Sequence, residues 1–202
     1  MAVRTLDFYF DFISPFGYLA SLRVDALAAK YGRVCRWHSM LLGISVLKVM
    51  GMKPLPSYPL KGPYLQRDRD RYMRRHGITL NRAEKPANPI PPGRCFHWLK
   101  AQDEVLAQSF ARTALHAYWQ EATEIGTPEA AAAIAGRVGA DEQAALQAIT
   151  GGEGDKLLRA AVDLSMGKGV FGSPTFIVDE DEPFFGLEKM ELVEEWLSSG
   201  GW

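Results

Sequence analysis

Apolar and polar side chains alternate over residues 5–11 (Thr-Leu-Asp-Phe-Tyr-Phe-Asp), a pattern typical of a β-strand. Apolar residues then recur at helical spacing from Pro15 to Lys30, and Gly32 follows where such a helix would end. Residues 33–38 alternate again. Because a strand, a helix and a second strand follow one another with a short return, the sequence predicts a right-handed βαβ unit with two parallel strands.

The middle of the chain changes to helical periodicity. Four prolines between residues 54 and 63 interrupt regular structure, residues 64–76 read as a charged helix, and a loop rich in proline and asparagine follows at 86–93. From residue 96 to residue 167 the pattern is helical almost throughout, with new helices predicted to begin at Thr127-Pro128 and Asp141-Glu142. This part of the chain is therefore predicted to be an all-helical unit.

Strand character returns near the end of the chain. Residues 175–178 (Thr-Phe-Ile-Val) read as a strand, residues 183–186 as a short second strand, and residues 187–198 as a terminal helix. Since β-structure flanks a long helical stretch, we predict one α/β fold of the order βαβ…ββα that is interrupted by an all-helical insertion.

Composition narrows the choice of partners. With 202 residues, of which 47% are hydrophobic, the chain can bury a sizeable core. A formal net charge of −1 gives no electrostatic reason to expect a nucleic-acid partner. No apolar stretch is long enough to span a bilayer, and the first residues show no signal-peptide pattern. We therefore expect a cytoplasmic protein that binds neither nucleic acid nor membrane.

The two cysteines, Cys35 and Cys95, have no motif spacing and are predicted to be buried free thiols, which agrees with a reducing compartment. His38 and His97 lie near them in sequence. Neither pair continues into a four-ligand pattern, so we predict no metal site.

The first strand ends abruptly at Ser14-Pro15. Serine is favoured at helix N-caps and proline at the first helical position, so Ser14 is predicted to cap the following helix. Unpaired N–H groups and the helix dipole at such a position favour an anion, including a thiolate. No Gly-x-Ser-x-Gly motif accompanies Ser14, which argues against a hydrolase. A serine hydroxyl without a neighbouring base is a poor nucleophile and is better suited to activating a bound thiol by a hydrogen bond. The alternative is that Ser14 only caps the helix.

A second motif, Gly-Val-Phe-Gly-Ser-Pro-Thr-Phe, occupies residues 169–176. Because proline cannot donate to a strand ladder, Pro174 must lie at a strand start or a sheet edge. Together with residues 10–16 (Phe-Asp-Phe-Ile-Ser-Pro-Phe), this motif resembles the DsbA-like superfamily, and more narrowly the group of 2-hydroxychromene-2-carboxylate isomerases and kappa-class glutathione transferases. The resemblance spans nearly the whole chain.

The resemblance implies a thioredoxin-like domain formed by residues 1–45 and 168–202, with a helical insertion domain at 46–167. It also implies that glutathione binds as a cofactor in an extended conformation. Ser14 would hold the glutathione sulfur, and Ser173, beside a cis-Pro174, would pair with the cysteinyl backbone. Lys61 would help to hold the tripeptide, and Glu188 would receive the γ-glutamyl ammonium group.

The expected substrate is a small aromatic carboxylate, as the resemblance implies. Asn88 matches a family loop on the substrate side. Further residues that could line a pocket for an aromatic substrate are Phe12, Phe16, Tyr64 and Trp98. An arginine of the charged helix could hold the substrate carboxylate with its planar guanidinium, although a solvated helix face is the alternative reading. The arginines concerned are Arg67, Arg71 and Arg74.

Two positions depart from the family pattern: Met52 stands where asparagine is common, and Leu187-Glu188 replaces a polar residue followed by aspartate.

The leading prediction is a glutathione-dependent isomerase similar to 2-hydroxychromene-2-carboxylate isomerase. A kappa-type glutathione transferase or peroxidase is one alternative, and a redox-inactive protein that binds a peptide strand at Ser173 is another. A disulfide oxidoreductase is disfavoured because residues 14–17 lack Cys-x-x-Cys. Family members are commonly homodimers, so a homodimer is expected.

Overall fold

The computed structural model describes residues 4–81, 86–179 and 181–202. Within them, four strands form one sheet: β1 (Thr5–Phe10), β2 (Val34–Ser39), β3 (Thr175–Val178) and β4 (Glu182–Phe185). The spatial order is β2-β1-β3-β4. Strands β1 and β2 are parallel, whereas β3 is antiparallel to both β1 and β4. The predicted α/β fold with the order βαβ…ββα is confirmed.

Two short helices, α1 (Pro15–Ser21) and α2 (Val24–Lys30), connect β1 to β2. The prediction of one continuous helix here is wrong, because the backbone leaves helical geometry at Arg23, with φ of −128°. Leu19 and Val24 are nevertheless both fully buried, one on each side of the break. The apolar spacing therefore continued across the break and concealed it in the sequence.

Between β2 and β3 the described residues form helices joined by loops. This part of the chain contains a π-helical segment (Gly43–Val49), a 3₁₀ turn (Leu55–Ser57) and the helices α3 (Lys61–His76), α4 (Ile90–Lys100), α5 (Glu104–Gln120), α6 (Pro128–Arg137), α7 (Glu142–Thr150) and α8 (Glu153–Gly167). After β4 come a 3₁₀ turn (Leu187–Lys189) and α9 (Met190–Ser199). None of the helices described is long and apolar enough to cross a membrane.

Capping residues explain where these helices begin. The side chains of Thr127 and Asp141 accept hydrogen bonds from backbone N–H groups of the first turns of α6 and α7, at the predicted starts. Helix α4 begins at Ile90, inside the segment that was predicted to be a loop. Pro91 and Pro92 lie in its first turn, where their missing N–H groups leave no intrahelical bond unmade.

The sheet and the helical part share one continuous hydrophobic core, in which Phe8, Phe10 and Trp37 of the sheet are fully buried together with Phe96 of α4. The rings of Phe10 and Phe96 pack edge to face, with centroids 5.6 Å apart. The predicted boundaries at residues 45/46 and 167/168 stay a prediction, since the core crosses them without interruption.

Candidate active site

Ser14 caps α1 as predicted. Its Oγ accepts a hydrogen bond from the Gly17 N–H at 3.1 Å, and Pro15 is the first helical residue. The Ser14 hydroxyl also donates to the backbone carbonyl of Ser173, with an oxygen–oxygen distance of 3.1 Å. Ser14 is only 4% exposed. The hydroxyl therefore joins the beginning of α1 to the segment that leads into β3.

The segment before β3 is fixed on both sides of Ser173. The Ser173–Pro174 peptide bond is cis. Ser173 Oγ accepts from the Asp11 N–H at 3.0 Å, and the Pro174 carbonyl accepts from the Gly186 N–H at 3.0 Å. In the part of the chain that the structure describes, the Ser173 N–H donates to no other group. Ser173 thus offers an unpaired backbone donor beside Ser14, as an extended peptide would require.

Gly17 brings the two segments into close contact. A Cβ atom at this position would lie 2.6 Å from Ser173 Oγ and 3.2 Å from Ser14 Cβ. Carbon and oxygen atoms that are not bonded do not approach so closely without displacement. A side chain at this position would therefore displace Ser173 Oγ, which accepts a hydrogen bond from the Asp11 N–H.

A cleft of about 210 Å³ lies between α1, α3 and the segment after β4. Ser14 and Ser173 do not line it, but Phe16, which does, follows Ser14 by two residues in α1. Its lining residues are Phe16 and Arg23; Asp68, Arg71, Tyr72 and Arg75 of α3; and Leu187, Glu188, Met190 and Glu191. The cleft brings together Phe16, Glu188 and Arg71, three residues that were predicted separately to contact cofactor or substrate.

Four of the six charged residues that line the cleft form ion pairs, whereas Arg23 and Glu188 have none among the described residues. Arg71 forms an ion pair with Asp68 at 2.6 Å, and Arg75 forms one with Glu191 at 3.4 Å. The carboxylate of Glu188 lies over Gly186, whose missing Cβ would be 2.6 Å from either oxygen. Among the described residues Glu188 has no hydrogen-bond or ion-pair partner. The Gly186 N–H donates to the carbonyl of Pro174, the residue after Ser173, so Glu188 lies on the segment that is hydrogen-bonded to the cis-proline. A carboxylate without a partner can accept an ammonium group.

Other predicted site residues lie elsewhere. Phe12 is 1% exposed, and its ring packs against Phe10 and Phe110, so it belongs to the core rather than to a substrate pocket. Asn88 Oδ1 accepts from the N–H of Ile90, the first residue of α4, at 3.1 Å. Lys61 is exposed as the first residue of α3 and does not line the cleft.

The remaining candidates are also separate from the cleft. Tyr64 is 58% exposed, and Trp98 packs against the core. Arg67 and Arg74 are exposed and do not line the cleft, in contrast to Arg71.

Six lining residues were missed by the sequence analysis: Arg23, Asp68, Tyr72, Arg75, Met190 and Glu191. A signal for three of them existed, because residues 68, 71, 72 and 75 follow the i, i+3, i+4, i+7 spacing of a single helix face. Arg23 donates to the Tyr72 hydroxyl at 3.1 Å across the cleft. This contact joins α3 to the end of α1 and could not be read from the sequence.

Asp11 is a buried acid next to the site. Its two carboxylate oxygens accept from the Ile13 N–H at 3.0 Å and from the Leu42 N–H at 2.8 Å. Burial raises the pKa of Asp11 to about 6, and the two backbone hydrogen bonds act in the opposite direction. The carboxyl group holds the turn before Ser14 against the segment after β2.

Neither cysteine of this chain can supply a thiolate near neutral pH. Both are free and buried, as predicted. Burial raises the pKa of Cys95 to about 12 and raises the pKa of Cys35 well above its usual range. Thiolate chemistry at this site would therefore need a thiol from a bound molecule.

The fold and the junction of Ser14 with Ser173 define a class of protein. The family model of the DSBA-like thioredoxin domain matches residues 5–198. The chain therefore belongs to the DSBA-like thioredoxin family, although its residues 14–17 contain no cysteine.

Curated relatives narrow the similarity to one kind of enzyme. The chain is 28% identical over 201 residues to the 2-hydroxychromene-2-carboxylate isomerase of Sphingobium xenophagum, covering 96% of this chain and 98% of that enzyme. It is 26% identical over 190 residues to the enzyme of the same name from Pseudomonas putida, with 94% and 92% covered. Along nearly its whole length the chain is thus similar to isomerases.

Solved structures agree on the fold. A 2-hydroxychromene-2-carboxylate isomerase superposes with a TM-score of 0.85 at 24% identity, covering 96% of this chain and 95% of that one. The cytosolic disulfide reductase DsbM of Pseudomonas aeruginosa, solved with GSH, gives a TM-score of 0.67 at 17% identity, with 96% of each chain covered.

Proposed function

We propose that this protein is a glutathione-dependent isomerase that acts on 2-hydroxychromene-2-carboxylate or a related aromatic carboxylate. The observation that carries the proposal is the Ser14 hydroxyl, held against Ser173 two residues before Phe16, which lines a cleft that also contains the carboxylate of Glu188. The similarity to isomerases along 96% of the chain supports the reaction class. DsbM, a protein with the same fold, was solved with GSH, which supports the cofactor.

The residues present fit glutathione in two respects. The unpaired Ser173 N–H can donate to the cysteinyl carbonyl, and the Ser173 carbonyl can accept from the cysteinyl N–H, as in strand addition. The partnerless carboxylate of Glu188 can receive the γ-glutamyl ammonium group. Lys61 lies outside this cleft, so its proposed role in holding the tripeptide would require the rest of the ligand to extend toward the beginning of α3.

Bound glutathione would supply a thiolate that adds to the conjugated substrate and leaves again after the bond rotation that defines the isomerisation. Ser14 stabilises that thiolate by donating its hydroxyl hydrogen, which lowers the thiol pKa. Phe16 provides an apolar wall for an aromatic ring. The Arg71 guanidinium pairs with Asp68 in the cleft and would exchange that partner for the substrate carboxylate.

The reaction class is tested by following the conversion of 2-hydroxychromene-2-carboxylate by absorbance, with and without glutathione. We expect conversion only when glutathione is present. Conversion without glutathione would contradict the cofactor assignment, and no conversion in either case would contradict the proposed substrate.

Ser14→Ala removes the donor to the thiolate. We expect turnover to fall at least 10-fold, roughly the loss of one charge-assisted hydrogen bond of about 1.5–3 kcal/mol. Ser21→Ala is the matched control, because the Ser21 hydroxyl is also buried in this segment but donates to the Tyr18 carbonyl within the helix. Wild-type turnover in Ser14→Ala would exclude the proposed role of the hydroxyl.

A kappa-type glutathione transferase is the second candidate, and the same serine and cleft would serve it. The two functions differ in the fate of glutathione, which a transferase consumes and an isomerase regenerates. Measuring free thiol before and after complete conversion separates them.

We place the protein in the cytoplasm, a proposal supported by its two free cysteines. The expected homodimer stays a prediction that light scattering would test.

A further inference from the structure

The Ser14 hydroxyl carries a single hydrogen, and in this structure that hydrogen is already used. It is donated to the Ser173 carbonyl, while the hydroxyl oxygen accepts from the Gly17 N–H. The carbonyl has little freedom to move away, since Ser173 is held through its own Oγ by the Asp11 N–H at 3.0 Å.

We infer that this hydrogen bond makes Ser14 selective among ligands: its hydroxyl activates only thiols that carry an adjacent amide N–H. The inference rests on the proposed function. To stabilise a thiolate, Ser14 must withdraw its hydrogen from the Ser173 carbonyl. That carbonyl is then left without its donor, unless the ligand supplies another one.

The cysteinyl N–H of a γ-glutamyl thiol is the natural replacement. When this N–H donates to the Ser173 carbonyl, Ser14 is released toward the sulfur, and no polar group of the protein loses its partner. A thiol without the N–H would leave the carbonyl unsatisfied in a half-buried segment. For such a ligand Ser14 keeps its bond to Ser173 and does not contribute to lowering the thiol pKa. Backbone recognition and thiol activation are therefore coupled through one hydroxyl.

The coupling is tested with two ligands that differ in one group: glutathione and its ester analogue, in which the cysteinyl N–H is replaced by oxygen. The measurement is the pKa of the bound thiol, followed by the ultraviolet absorbance of the thiolate and referred to each ligand free in solution. For the wild-type protein, we expect the drop in pKa to be smaller for the ester by about 1, which is a tenfold difference in ionisation.

In Ser14→Ala the difference between the two ligands should disappear, because no hydroxyl remains to be released. Ser14→Gly is a second variant, since glycine is tolerated at helix N-caps and preserves folding. Ser21→Ala should keep the full difference. The expected pattern is thus a ligand difference that depends on the Ser14 hydroxyl alone.

Three results would contradict the inference. Equal pKa drops for both ligands in the wild-type protein would show that the amide N–H is not needed. A difference that persists in both Ser14 variants would assign the discrimination to another group. Calorimetry separates these results from failure of the proposed function: if glutathione gives no heat of binding at millimolar concentration, the proposed function and this inference are both overturned.

Discussion

Gly17 occupies a position where the size of one side chain decides whether the site can form. The residue lies in the first turn of α1, and a Cβ there would lie 2.6 Å from Ser173 Oγ. To make room, Ser173 would have to rotate its hydroxyl away and lose the hydrogen bond from the Asp11 N–H. The glycine is therefore required by the neighbouring segment rather than by its own backbone.

Gly17→Ala is expected to destabilise the protein by about 1–3 kcal/mol and to lower turnover, because the Ser14–Ser173 contact is pushed apart. Urea unfolding and the isomerase assay measure the two effects. Gly167→Ala is the matched control: a Cβ at Gly167, the last residue of α8, would meet nothing within 4 Å, so no loss is expected. Adding Ser173→Ala to Gly17→Ala should restore stability in part, and failure to do so would assign the damage to another contact.

Helix α5 meets the sheet through a buried hydrogen bond. The indole Nε1–H of Trp119 donates to the Phe12 carbonyl at 3.1 Å, directly before the turn that leads to Ser14. Both residues are at most 2% exposed, and the Tyr18 ring of α1 stacks on the Trp119 ring with centroids 6.3 Å apart. The helical part of the chain thus supports the segment that carries Ser14.

Trp119→Phe should lower the free energy of unfolding by about 2 kcal/mol or more. The substitution leaves the buried Phe12 carbonyl without its donor and creates a small cavity. Trp202→Phe is the control, because Trp202 is 68% exposed, and its effect should stay within about 0.5 kcal/mol. Equal stabilities of the two variants in urea would show that the Trp119 hydrogen bond contributes nothing.

At the scale of the whole molecule, two buried groups make the free energy of unfolding depend on pH in opposite directions. His97 Nε2 lies 3.0 Å from the Ser39 carbonyl, and burial lowers the pKa of His97 to about 4. Between pH 6.5 and 4 the unfolded chain protonates this histidine while the folded chain does not, so falling pH destabilises the fold. Because the pKa of Asp11 is raised to about 6 in the folded state, the folded chain protonates Asp11 at a higher pH than the unfolded chain does. Falling pH therefore stabilises the fold between pH 6 and 3.8.

Removing either group should expose the effect of the other. Relative to wild type, His97→Gln should gain up to about 3 kcal/mol of unfolding free energy as the pH falls from 6.5 to 4. Asp11→Asn should lose a similar amount relative to wild type as the pH falls from 6 to 4. Urea unfolding at several pH values measures both curves, and curves parallel to that of the wild type would contradict the assigned pKa values.

Local sequence determined the strands and the capping residues at several helix starts. The alternation in residues 5–11, the Ser14-Pro15 helix start and the strand at 175–178 are encoded by neighbours in the chain, so they could be predicted without the fold. The family-specific motifs around Ser14 and Ser173 also identified both partners of the central hydrogen bond, because each motif lies at the end of a recognisable strand or the start of a helix. These features depend on interactions over a few residues.

Only the tertiary structure decided which side chains share the cleft. Phe12 and Phe16 belong to one aromatic motif, yet Phe12 is buried in the core and Phe16 lines the cleft. Arg23 and Glu188 were joined to the arginines of α3 by packing between distant segments, and the break between α1 and α2 was hidden by continuous apolar spacing. Periodicity tells which face of an element is buried. What covers that face, and whether the exposed face meets solvent or a ligand, depends on contacts between residues far apart in the chain.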